Sequence, residues 1–261
     1  MLYKINMRNM AYLHLCVCYN KAMMIHLYSV DSTNDYLERK DLKAGTAVLA
    51  DMQTKGRGRG DHKFSSPEGG IYFSCLFKDE SESFEGGPKG AYLNQKDAAL
   101  LTPKAAVAVC TVLEEVCGLS PKIKWVNDIY INGKKVCGIL CEHKGEKYIA
   151  GIGINILSNE LPDSLKATAA GIFDGYIVED PEGIRSELAE RIAEFMYKEI
   201  SPKSIVSEYE KRLNVLGKDI RFTFEGEMMT GKVLGINEYC NLIVKTNEKE
   251  LTLSSGEIEM I

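Results

Sequence analysis

From residue 24 onward the chain alternates short apolar runs with polar, turn-forming segments. "MIHLYSV" (24–30), "TAVLADMQ" (46–53) and "GGIYFSCLFK" (69–78) are rich in β-branched and aromatic residues, which predicts strands. Between the first two, "DSTNDYLERK" (31–40) reads as a helix whose start offers Ser32, Thr33 and Asn34 as caps. Residues 79–97 are polar and glycine-rich and predict a surface excursion. Thr102 followed by Pro103 predicts a capped helix over "PKAAVAVCTVLEEVCG", closed by Gly118 and packed tightly through its small residues. "KIKWVNDIYING" (122–133), "KKVCGILCEH" (134–143) and "KYIAGIGINIL" (147–157) predict further strands separated by Asn-Gly and Lys-Gly turns. Two helical stretches follow, "PEGIRSELAERIAEFMYKEI" and "SPKSIVSEYEKRLN". From Lys218 the segments shorten and alternate, with turn residues at regular spacing, which predicts a small β-barrel. The expected class is α/β (α+β): a mixed sheet with flanking helices over 25–215 and a C-terminal barrel over 216–261.

Composition narrows the function. A chain of 261 residues with 45% hydrophobic and 26% charged residues has room for one large domain and a small one. A net charge of −5 argues against broad adhesion to DNA or to an anionic membrane, so any anion site is focal. Cys75, Cys110, Cys117, Cys137, Cys141 and Cys240 all lie in apolar segments, no Cys-x-x-Cys occurs, and the histidines are scattered. A reduced, cytoplasmic protein without structural zinc is expected. In the first 22 residues Lys4 and Arg8 precede an apolar run interrupted by His14, without a small-residue cleavage site. The stretch is short for a membrane span and for a winged-helix DNA-binding domain, so residues 1–24 are read as an N-terminal extension or as a start placed upstream of Met23 or Met24.

Three clusters carry chemistry. In "QTKGRGRGDHKFSSPEGGIYFS" (53–74), Gly56, Gly58 and Gly60 let the backbone approach a ligand closely, and Arg57 and Arg59 add planar donors suited to phosphate or carboxylate. Because this run lies between two predicted core strands, it reads as an ordered anion-binding loop. No Gly-Lys-Ser/Thr follows and no helix opens after it, which excludes a P-loop and a dinucleotide fingerprint. The second cluster is "KWVND" with Lys135: Asn127 and Asp128 could hold hydrated magnesium or a substrate amine, or simply form a turn. Lys135 could reach a carboxylate or phosphate, or be a solvated strand end. The third is "GIGIN", where Gly151 and Gly153 imply close approach of a ligand or of a packed helix, and Asn155 could hydrogen-bond either.

Taken in order, Ser-Thr-Asn, Gln-x-x-Gly-Arg-Gly-Arg, Lys-Trp-x-Asn-Asp, Lys-x-x-Gly-Ile-Leu and Gly-x-Gly-x-Asn, with "SSGEIEM" near the end, resemble the biotin protein ligases from about Ile25 to the C-terminus. The resemblance implies a catalytic domain of the kind shared with class II aminoacyl-tRNA synthetases and an SH3-like terminal barrel. It implies an enzyme that joins biotin to ATP as biotinyl-5′-adenylate and passes biotin to one lysine of a biotin carboxyl carrier domain, in acetyl-CoA carboxylase or another biotin-dependent carboxylase. ATP with magnesium is then a co-substrate, and no tightly bound prosthetic group is expected.

By the same resemblance Ser32, Thr33, Asn34 and Gln53 would line the biotin end, and Gly56, Arg57, Gly58 and Arg59 would fold over the adenylate. Lys135, in the motif that includes Gly138, would contact the biotin carboxylate and α-phosphate. Asn127 and Asp128 would lie beside the reacting phosphate, with Asp128 a magnesium ligand or an acceptor for the incoming lysine's proton; Gly151 and Asn155 complete the site. Lys135, Asp128 and Arg59 are the expected catalytic residues.

Three departures stand out. Val126 replaces the family's proline, Gly60, Asp61 and His62 replace a hydrophobic residue, glycine and a basic residue, and only Phe173 suggests itself for stacking on adenine. His62 is read either as facing the ATP polyphosphate or as a solvated residue beside Asp61. A ligase that also represses transcription is disfavoured because too few residues precede the match for a winged helix, and a lipoate or octanoate ligase or transferase on the related fold is the other alternative. Neither DNA nor a membrane is expected as a partner; the oligomeric state, a homodimer included, is left open.

Overall fold

A computed structural model of the chain describes residues 15–19, 22–82, 86–175 and 178–261. Leu15–Tyr19 (β1) pairs antiparallel with Ala22–Val30 (β2), so the expected N-terminal extension contains a strand; residues 1–14 lie outside the described residues. The helix Thr33–Arg39 (α1) begins as expected: Ser32 is its N-cap, with Oγ accepting from the Asp35 N–H. Its C-terminal end is held from across the sheet, where Lys147 Nζ donates to the carbonyls of Leu37, Glu38 and Lys40.

Thr46–Gln53 (β3) runs parallel to β2, and Ile71–Asp79 (β4) antiparallel to β3. The expected excursion over 79–97 contains a short strand, Tyr92–Leu93 (β5), and a helix, Gln95–Ala99 (α2), capped by Asn94. The helix Leu101–Cys117 (α3) starts earlier than Thr102–Pro103 predicts. Leu100 and Leu101 are buried, so packing draws the helix start back, and Pro103 is tolerated because the first turn lacks intrahelical acceptors for its N–H groups. Gly118 closes α3 in the left-handed conformation at φ 64°, as its position predicts.

The segment 122–133 is a hairpin instead of one strand. Lys122–Lys124 (β6) pairs with Asp128–Ile131 (β7), and Trp125, Val126 and Asn127 form the tip, with a cis peptide between Trp125 and Val126. Lys134–Lys144 (β8) and Lys147–Ile154 (β9) complete a sheet ordered β1-β2-β3-β4-β9-β8-β7-β6, with β5 beside β4. Pro181–Met196 (α4) and Pro202–Arg212 (α5) begin at Asp180 and Ser201, each cap followed by proline.

Strand alternation assigns the two faces. Phe73, Cys75 and Phe77 point into the large core formed with α3 and α4, and each fully buried aromatic of this kind is worth about 1.5–3 kcal/mol relative to exposure. Leu76 and Ile149 point the other way, packing with Leu37 of α1. Ser74 of β4, Gly151 and Gly153 of β9, and Gly138, Leu140 and Glu142 of β8 share this second face by the same period of two.

The C-terminal part is a five-stranded antiparallel sheet: Asp219–Phe224 (β10), Glu227–Ile236 (β11), Leu242–Lys245 (β12), Glu250–Leu253 (β13) and Ile258–Met260 (β14), in the order β13-β12-β11-β10-β14. It is seated on the 125–127 hairpin tip. Trp125 Nε1 donates to the Cys240 carbonyl at 3.0 Å, and Tyr209 of α5 donates to the Val126 carbonyl at 2.9 Å. Among the described residues no helix is long and apolar enough to cross a membrane.

Candidate active site

Glycines make the floor. Register places Gly138 opposite Gly153, and Gly151 between Ser74 and Leu140. The Phe64 ring occupies the space above the first pair, where a Cβ on Gly138 would come within 2.9 Å of it. The Asn34 carboxamide lies over Gly151, and a Cβ there would collide with it. Above this floor is a cavity of about 560 Å³.

At one end the wall is built of hydroxyl and amide groups and densely hydrogen-bonded. Gln53 Oε1 faces the Thr33 N–H at 2.9 Å and its hydroxyl at 3.1 Å, while Gln53 Nε2 donates to Ser66 Oγ at 2.8 Å. Ser74 Oγ lies 2.7 Å from Thr33 Oγ1 and 2.6 Å from Asn34 Oδ1. Ser32, Thr33 and Asn34 are each under 5% exposed yet line the cavity, so their polar atoms face a confined space. Arg57 closes this end as a fork on Glu142, at 3.0 and 2.6 Å, with Asp35 Oδ1 at 2.5 Å. Burial works against ionisation of Glu142, but the hydrogen bonds from Arg57 and Asn34 outweigh it and hold the carboxyl below its ordinary range.

The other end is charged. Lys135 Nζ lies 2.7 Å from Asp128 Oδ1, an ion pair without hydrogen-bond alignment. Asn127 is oriented by its amide donating to the Ile139 carbonyl at 2.8 Å. The Gly-Arg run is an ordered turn: Gly58 N–H donates to the His62 carbonyl, His62 N–H to Arg59, and Phe64 N–H to Gly56. Arg59 reaches from this turn towards Asn127 Oδ1 and the Gly256 carbonyl, both at 3.4 Å. His62 is largely exposed at the rim of the cavity, its Nε2 3.3 Å from Glu257 Oε1.

Of the residues singled out from sequence, Ser32, Thr33, Asn34, Gln53, Arg57 and Gly58 line one cavity with Arg59, Asn127, Asp128, Lys135, Gly138 and Gly151. Two do not. Gly56 is buried inside the turn, where a Cβ would strike Phe64 and Ser66. Asn155 is spent on the fold: its amide donates to the Ala170 carbonyl at 3.3 Å, fastening the loop after β9. Arg57 lines the cavity, but its guanidinium is clamped by Glu142 and Asp35 instead of being free to fold over a ligand. Phe173 packs against the core and does not line the cavity.

Sequence reading missed Asp35, Phe64, Ser74, Lys124, Glu142 and Glu257. Phe64 and Ser74 stood inside the quoted 53–74 stretch, Lys124 inside "KWVND" and Glu257 inside "SSGEIEM"; Asp35 and Glu142 stood in predicted elements with nothing in the sequence to name their partners. Among the described residues no group of three or more His, Cys, Asp or Glu converges as a metal site.

Known proteins resemble this chain in both of its parts. The chain matches the Biotin/lipoate A/B protein ligase family over residues 26–159 and the Biotin protein ligase C terminal domain over 215–260. It is similar to the bifunctional ligase/repressor BirA of Bacillus subtilis, 32% identical over 247 residues, covering 90% of this chain and 72% of the relative. It is also similar to the biotin--[acetyl-CoA-carboxylase] ligase of Paracoccus denitrificans, 34% identical over 139 residues, covering 50% of this chain and 53% of the relative. The structure of the Aquifex aeolicus biotin protein ligase in complex with biotin and ATP superposes with a TM-score of 0.73 at 33% identity, covering 91% of this chain and 98% of that one. With both segments matched and the two-part architecture shared, the chain belongs to the biotin protein ligase family.

Proposed function

We infer that the cavity activates biotin with ATP and transfers it to a carrier lysine. The observation that carries this reading is its division into an end of hydroxyl and amide groups, where the cation of Arg57 is taken up by Glu142 and Asp35, and an end built on the Lys135–Asp128 pair. A ureido ring needs the first, and an acyl-phosphate the second. In the first step a biotin carboxylate oxygen attacks the α-phosphorus of ATP, forming biotinyl-5′-adenylate and expelling pyrophosphate. In the second, a lysine amine attacks the acyl carbon and AMP leaves. Lys135 stabilises the negative charge that builds on the carboxylate and phosphate oxygens. Asp128, paired to it, is the acceptor we assign to the amine proton. Magnesium arriving on ATP would find Asp128 beside the reacting phosphate, in keeping with an ion held by substrate oxygens and one or two carboxylates.

An acyl-adenylate is attacked by water and by any amine, so the site must close over it. Arg59, unlike Arg57, has only long contacts at the cavity mouth and is the residue we assign to this closure. The partner we propose is the biotin carboxyl carrier domain of acetyl-CoA carboxylase or another biotin-dependent carboxylase.

ATP–pyrophosphate exchange with purified protein tests the reading: biotin should drive exchange, and the same protein with a carrier domain should yield a streptavidin-reactive band. Stronger exchange with lipoate or octanoate would overturn it. Gly151→Ala should displace the Asn34 carboxamide and lower kcat/KM for biotin on the order of 10²-fold, the cost of misplacing a positioning group by about 1 Å. Wild-type kinetics in that variant would remove Asn34 from the biotin end.

A further inference from the structure

Glu142 stands on β8 two residues beyond the Gly-Ile-Leu run, with its side chain 14% exposed. Its Oε2 accepts from Asn34 Nδ2 at 2.8 Å and from Arg57 Nη2 at 2.6 Å, and Oε1 accepts from Arg57 Nη1 at 3.0 Å. Lys144 Nζ lies 3.7 Å from Oε1 at the outer side. The consequence falls on Asn34. Its amide nitrogen faces the Leu140 carbonyl, at 3.2 Å, as well as Glu142, while its Oδ1 faces the Ser74 hydroxyl. Two acceptors on one side and a hydroxyl on the other fix which way the amide points. Both amide hydrogens are committed, so Asn34 has only a carbonyl lone pair to offer the cavity.

We propose that Glu142 is a positioning residue for biotin activation: it holds Asn34 as an acceptor for a ureido N–H and ties Arg57, at the base of the Gly-Arg turn, to the same carboxylate. The inference rests on the biotin ligase reading. Its physical content is that a flipped Asn34 would set N–H against N–H at the ring, and that one anion keeps the ring site and the turn in register. Asp35 holds Arg57 from the other side, so the turn's base retains a partner if Glu142 is altered.

Glu142→Gln keeps the shape and removes an acceptor. Arg57 donates to both oxygens and Asn34 to Oε2, so wherever the new amide turns its NH2 it meets a donor of Arg57, and in the Oε2 place that of Asn34 too. In pyrophosphate exchange the KM for biotin should rise about 10-fold or more, the scale of an unsatisfied buried donor. The KM for ATP should stay near wild type, and the melting temperature of the ligand-free protein should fall by only a few degrees, the unsatisfied donor weighing on the fold as well. Glu142→Asp, which keeps the charge, should recover part of the loss. An unchanged biotin KM in folded Glu142→Gln, beside an active wild type, would overturn the positioning role alone; absence of biotin-dependent exchange in wild type would overturn the ligase reading itself. Equal losses for both substrates, or loss of folding in both variants, would make Glu142 a structural anchor and also overturn the proposal.

Discussion

Lys135→Ala is expected to lower biotin-dependent pyrophosphate exchange by roughly 10²-fold or more, as removal of a preorganised charge stabiliser does, while leaving the fold intact. The two halves of that expectation rest on different atoms. The backbone of Lys135 is pinned on both sides, its N–H donating to the Thr168 carbonyl and its carbonyl accepting from Ala170, each at 3.0 Å. These bonds survive truncation of the side chain. The ammonium, by contrast, projects from this rigid point into the cavity and meets Asp128, its side chain one-third exposed, so little packing is lost with it. What disappears is a positive charge at the place where the carboxylate and α-phosphate must meet. The variant should melt close to wild type and keep the ring end of the site, since Asn34, Thr33 and Gln53 are untouched. Near-normal exchange in a well-folded Lys135→Ala protein would leave the residue a bystander.

Arg59→Gly should have its largest effect after chemistry has occurred. The Arg59 guanidinium is 3.4 Å from Asn127 Oδ1 and from the Gly256 carbonyl, contacts too long to anchor it. A side chain so weakly held at the mouth of a cavity is available to an anionic intermediate. Losing a charge-assisted hydrogen bond of about 1.5–3 kcal/mol corresponds to roughly 10–100-fold weaker retention of biotinyl-adenylate. Free intermediate would then acylate exposed lysines at random. Albumin added to the reaction should be labelled by the variant and not by wild type; equal labelling would remove Arg59 from closure. Arg57 is not interchangeable with it, because its removal would leave Glu142 and Asp35 facing each other without their shared cation.

The outcome at the glycines shows how far local reading goes. Glycine in a strand signals close approach, and Gly138, Gly151 and Gly153 do lie beneath Phe64 and Asn34. The same logic over-reached at Gly56, which gives way to its own turn, because a missing Cβ says that something is near and not what it is. Asn155 failed similarly: an amide next to a glycine-rich strand has the same hydrogen-bonding capacity whether it meets a ligand or, as here, the Ala170 carbonyl.

By itself the sequence determined what depends on neighbours a few residues away. Strand alternation in β4 and β9, the caps of α1, α4 and α5, the left-handed stop at Gly118 and the ordered series of motifs are all of this kind. Only the tertiary structure decided who satisfies whom. Glu142 meets Arg57 across 85 residues and Asn34 across 108, and Arg59 meets Gly256 across 197. Such pairings follow from sheet register and from the seating of the C-terminal sheet on Trp125. A side chain's hydrogen-bonding valence is written in its chemistry, but the partner that fills it is set by which strands lie side by side.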